Sequence, residues 1–101
     1  MTNPLNTAQL PNFDMAEHLK TDEEVAAYLT LVMEEEDPSE LAHALGAIAR
    51  ARGMGDIASA SGLTREALYK ALRPGSHPRF ETIWRVCAAL GVRLVAQPIN
   101  P

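Results

Sequence analysis

The stretch "GDIASASGLTREALYKALRPG", residues 55–75, constrains the fold more than any other part of the chain. Its punctuation predicts two short helices. Gly62 stops the first, about Gly55 to Ser61. Thr64 offers a capping hydroxyl to the second, about Arg65 to Arg73, and Pro74-Gly75 ends it. Helices this short are marginal alone in water, so the two must lock together. Ile57, Leu63, Leu68 and Leu72 are spaced to do so, and Ala58 is small where the helices meet. Gly62 tolerates the positive φ such a turn requires. With those residues inward, Arg65, Glu66, Tyr69, Lys70 and Arg73 share an outward side. The pattern predicts a helix-turn-helix. Its second helix, roughly 13 Å long, suits a major groove about 12 Å wide.

The flanking segments supply three more helices. Thr21 caps one that runs to about Glu36. Asp22, Glu23 and Glu24 fill its first turn, where the helix dipole favours negative charge. Val25, Tyr28, Leu29 and Val32 give it one apolar face. Asp37-Pro38 opens the next, because proline fits the first helical position. Leu41, Leu45 and Ile48 form its stripe, and it ends in Arg50 and Arg52 before Gly53. The last helix, about Arg79 to Leu90, is expected to bury Phe80, Ile83, Trp84, Cys87 and Leu90, with Gly91 ending it. "VRLVAQP" alternates and is β-branched enough to predict one strand, stopped by Pro98. A lone strand needs a partner. The candidates are residues 13–19 and the same strand of a second subunit. Residues 13–20 read as either a short strand or one helical turn. Residues 1–12, with Pro4 and Pro11, are expected to be a flexible tail, 13–97 a single domain, and 98–101 a second tail. The fold class expected is all-α: a five-helix bundle with a short C-terminal β-strand.

Composition narrows the chemistry. The 101 residues carry net charge -4, but the charge is split. Residues 1–49 hold ten carboxylates against Lys20 alone, whereas residues 50–101 hold eight cations against Asp56, Glu66 and Glu81. Such asymmetry points to two partners of opposite charge. The single cysteine, Cys87, excludes an internal disulfide and reads as a small core hydrophobe. His18, His43 and His77 are scattered without ligand spacing, so neither a metal nor a cofactor is expected. No catalytic constellation is evident, so an enzyme is not expected. No apolar run approaches the roughly 20 residues of a membrane span, and "MTNPLNTAQLPNF" lacks the regions of a secretory leader. A cytoplasmic setting is the expectation.

The segments "FDMAEHL", "EEVAAYL", "ALGAIARARGM", "IASASGLTREALYKAL" and "FETIWRVCAALGVRL" occur here in a specific order. In that order, residues 13–97 resemble the addiction-module antidote family, antitoxins with an Xre-type helix-turn-helix often grouped with HigA-like antitoxins. The resemblance implies an Xre/lambda-repressor-like bundle. It also implies a usually dimeric protein that represses its own operon on double-stranded operator DNA and neutralises a basic, RelE/HigB-like toxin. One position departs from the pattern: Met54 stands where Xre-type domains often place a phosphate-touching glutamine.

Under this reading Thr64 caps the second helix and meets a phosphate. Arg65 and Lys70 read bases or phosphates, arginine preferring guanine. Glu66 either accepts from cytosine or pairs with Lys70 four residues on. Tyr69 is a DNA contact or a packing residue, Arg73 and Arg79 are phosphate contacts, and Ser76 and His77 lie in a loop beside the backbone. Asp22, Glu23, Glu24, Glu34, Glu35 and Glu36 are the candidate toxin contacts, by charge complementarity. Two alternatives remain: a prophage-type repressor without a toxin, and a protein-interaction module that kept the fold but lost DNA reading.

Overall fold

The computed structural model describes residues 19–100. Five helices follow one another: α1 Asp22–Met33, α2 Pro38–Arg52, α3 Met54–Ser61, α4 Arg65–Leu72 and α5 Phe80–Ala89. The expected tail at 1–12 and most of the ambiguous segment 13–20 lie outside the described residues.

Local chemistry sets the boundaries. Thr21 and Glu24 form a complete capping box: the Glu24 N–H donates to Thr21 Oγ1 at 3.1 Å, and the Thr21 N–H donates to Glu24 Oε1 at 3.0 Å. Helix α1 ends at Met33, three residues earlier than expected. Residues 34–36 form turns that close with Glu36 at φ 59°. Asp37 caps α2 by accepting from the Ser39 N–H and hydroxyl, and Pro38 takes the first position. Gly62 ends α3 at φ 78°, where the Leu63 N–H reaches back to the Ala58 carbonyl at 2.9 Å.

Helix α2 is the hub, packing against each of the other four helices. Leu45 and Ile48 of α2, Val25 and Leu29 of α1, Leu68 and Leu72 of α4, Val86 of α5 and Leu90 at its C-cap belong to one buried cluster. Helix α4 crosses α2 at Gly46. A Cβ there would stand 2.9 Å from the Leu72 carbonyl oxygen, so the backbones meet only because that side chain is absent. Helix α3 is buried through Met54, Ile57 and Ala58 and packs on α2, α4 and α5.

Two expectations fail. Residues 92–97 carry no regular secondary structure, and no strand forms among the described residues. Strand status requires backbone pairing, and the backbone groups of residues 93–97 make no hydrogen bond. Phe80 and Trp84, expected in the core, are 65% and 56% exposed. Helix α5 is apolar over more than half its circumference. Its neighbours cover the arc of Ile83, Val86, Cys87 and Leu90, and Val86 takes the inward place assigned to Trp84. Phe80 and Trp84 pack edge to face on each other instead, with centroids 5.6 Å apart.

Candidate nucleic-acid interface

Helix α4 divides sharply into two sides. Leu68 and Leu72 are fully buried, whereas Arg65, Glu66, Tyr69, Lys70 and Arg73 are all exposed. Thr64 caps the helix by accepting from the Ala67 N–H at 3.0 Å, which leaves its hydroxyl proton free to donate outward. Arg65 lies over the Tyr69 ring, its guanidinium carbon 5.4 Å from the centroid, with Nη2 at 3.5 Å from the phenol oxygen. The ring therefore holds the arginine along the helix surface. No ion pair joins Glu66 to Lys70. Both side chains stand in solvent.

The flanks extend this surface. Arg73 caps the end of α4 in an extended conformation. The Ser76 hydroxyl donates to the Ala71 carbonyl and ties the following loop to α4. His77 of that loop is exposed. Arg79 sits exposed at the N-cap of α5 without a capping bond. Sequence reasoning passed over Arg85. Its Nη1 lies 3.3 Å from where a Cβ on Gly62 would stand, so it borders the α3–α4 turn, and it pairs with Glu81 at 2.9 Å. The Glu81–Arg85 spacing could have signalled the pair but not its place over that turn. Met54 is buried and its side chain has no hydrogen-bond donor to offer.

The candidate carboxylates of α1 separate into two groups. Asp22 pairs with Arg52 at 3.4 Å and lies over Gly91, and Glu24 serves the capping box, so both already hold the fold together. Glu23, Glu34, Glu35 and Glu36 are exposed and make no side-chain pair. Glu23 stands with Asp22 and Glu24 at the start of α1, whereas Glu34, Glu35 and Glu36 follow its end, roughly 18 Å away along the helix. Cys87 is buried, and burial pushes its thiol up to about 11, so it is not a nucleophile near neutral pH. Tyr28 also titrates higher than usual, through burial first and then the nearby Glu40 and Glu35. No helix among the described residues is long and apolar enough to cross a membrane.

A family model described as "Probable addiction module antidote protein" matches residues 9–98, most of the chain. The chain belongs to the addiction-module antidote family. An uncharacterized protein of Haemophilus influenzae strain Rd is 44% identical over 91 residues, covering 90% of this chain and 94% of that protein. No solved structure matches significantly. An antidote implies a toxin, so membership supplies a protein partner in general terms.

Proposed function

We propose that this antidote binds operator DNA as a dimer, represses its own operon, and neutralises a basic toxin of the RelE/HigB type. In this reading α3 and α4 are an Xre-type helix-turn-helix and α4 enters the major groove. Residues 13–97 act as one domain in the cytoplasm, and no catalysis is involved. One observation carries the proposal: α4 and its C-cap turn three cations, Arg65, Lys70 and Arg73, and the Tyr69 phenol outward, while Leu68 and Leu72 anchor the helix on the core. Arg65 and Lys70 reach base edges, with Tyr69 steering Arg65. Thr64, Arg73 and Arg79 hold phosphates. Glu66 screens against guanine-rich contacts or accepts from cytosine. The toxin docks on the acidic side of α1 through Glu23, Glu34, Glu35 and Glu36. Asp22 and Glu24 contribute only their field.

A gel shift on the promoter region of its own operon tests the DNA half. Sequence-selective binding that weakens at least tenfold in Arg65→Ala/Lys70→Ala is expected. Binding unchanged by that double substitution would remove α4 from the interface. Affinity should also fall steeply with salt, by a power of roughly 0.9 for each phosphate neutralised.

The buried Met54 favours a second reading, a protein-interaction module that has lost DNA reading, because its side chain offers no phosphate donor. A flat salt dependence with retained toxin binding would select it.

A further inference from the structure

Two cations supplied by other helices stand at the two ends of α4. Where α4 finishes, α2 contributes Arg50. Arg50 Nη1 and the Leu72 carbonyl oxygen both lie within 3.5 Å of the point where a Gly46 Cβ would stand, at the crossing of α4 on α2. Where α4 starts, α5 contributes Arg85. Its Nη1 lies 3.3 Å from the corresponding point on Gly62, in the turn that leads to the Thr64 cap. Both arginines are exposed. The helix between them has 8 residues and is roughly 12 Å long, about the width of a major groove.

Neither arginine is consumed inside the chain. The two bases that end α2 differ: Arg52 pairs with Asp22, whereas Arg50 makes no side-chain hydrogen bond or ion pair among the described residues. Arg85 is tied to Glu81 through Nη2 alone, at 2.9 Å. The carboxylate fixes the guanidinium, and Nη1, on the side of the turn, meets no acceptor among the described residues. Arg50 also suits the dipole at the end of α2, a role that would leave the salt dependence of any DNA binding untouched.

The geometry points to Arg50 and Arg85 as phosphate contacts that bracket α4, one toward each strand bordering the groove in which it lies. This rests on the reading of α4 as a groove helix. A guanidinium fork matches the paired oxygens of a phosphate. Phosphate contacts carry no sequence information, so these two arginines supply grip and register while Arg65 and Lys70 choose the sequence. With Arg73 and Arg79, the grip draws on α2, α4 and α5. Helix α4 then cannot tilt in the groove without breaking a contact at one end.

Binding of the full chain to a duplex carrying its own promoter region and to a random duplex of equal length, each titrated with salt, tests the inference. Arg50→Gln and Arg85→Gln should each weaken binding to both duplexes about tenfold and leave the ratio between them unchanged. The slope of log affinity against log salt should become shallower by roughly 0.9 for each copy bound, and the double variant should lose about twice that. Arg50→Lys and Arg85→Lys keep a charge and should keep the slope. Arg93→Gln is the control: Arg93 is also exposed, but it lies with Asp22, Glu23 and Ala26 beside α1, and its loss should leave the slope as it was. Circular dichroism should be unchanged throughout. Slopes indifferent to Arg50→Gln and Arg85→Gln overturn the assignment. So does a slope that falls as much with Arg93→Gln, which reports net charge alone, or a loss confined to the promoter duplex, which reports base reading. The two proposals fail separately. Selectivity abolished by Arg65→Ala/Lys70→Ala, with slopes that ignore the bracketing pair, keeps the repressor and removes these contacts. Slopes that respond without any promoter preference keep the contacts and remove the operator reading. A wild-type chain that binds neither duplex removes both.

Discussion

Helices α1 and α4 are built alike and charged unlike. Each starts at a threonine cap and buries one apolar side against α2. The first turn of α1 holds Asp22, Glu23 and Glu24, which suit the positive end of the helix dipole. Two of them are also locked into contacts: Asp22 with Arg52, and Glu24 in the capping box. Helix α4 opens on Arg65, a cation where the dipole disfavours one, and Ala67 stands where a capping box would place glutamate. Its outward cations meet no carboxylate within ion-pairing distance among the described residues. At α1, local rules and tertiary contacts agree, and the acid there serves stability as well as any partner. At α4 Arg65 goes against the dipole while Glu66 and Lys70 follow it, and no carboxylate among the described residues pairs with Arg65. That is the pattern expected of a surface shaped for an external anion.

The comparison can be broken at several depths. The buried sides should behave alike: Leu68→Ala and Leu29→Ala should each cost about 2–5 kcal/mol in denaturant unfolding. A much smaller loss at Leu29 would mean α1 is only loosely held. Next comes Gly46→Ala, where the new methyl meets the Leu72 carbonyl. A loss of roughly 1–3 kcal/mol is expected, with weaker operator binding as α4 is pushed off α2. The caps should then differ in order. Thr21→Ala, which removes one arm of a two-armed box, should cost about 1–2 kcal/mol, and Thr64→Ala about 0.5–1 kcal/mol. Equal losses would show that the Glu24 arm adds nothing. Smallest in stability but largest in function is Arg65→Glu. Removing the mismatch with the dipole should raise stability by ~0.3–1 kcal/mol while operator binding is lost. Destabilisation by this change would show that Arg65 holds α4 in place and would undo the contrast between the helices.

Much of this was legible residue by residue. The stops at Gly53, Gly62 and Gly91, the caps at Thr21, Asp37 and Thr64, and the inward set Ile57, Leu68 and Leu72 follow from backbone sterics and helical period. The outward stripe of α4 came with them in part, because fixing Leu68 and Leu72 inward turns Glu66, Lys70 and Arg73 outward; Arg65 falls on the leucines' own period and is exposed at the first residue of the helix. Helix α5 shows where this reasoning fails. Its apolar residues exceed what one neighbouring layer covers, and periodicity cannot say which arc is covered, so Phe80 and Trp84 were misplaced and Val86 was passed over.

The sequence by itself determined where helices begin and end and which side of α4 is polar, since both depend on forces acting within a few residues. Tertiary structure alone decided that Asp22 bridges to Arg52 and rests on Gly91, that Gly46 admits α4, and that the aromatic pair stays outside. It also left residues 92–97 without a paired backbone among the described residues, because a strand is a relation between two backbones and the pattern of one can only ask for the other.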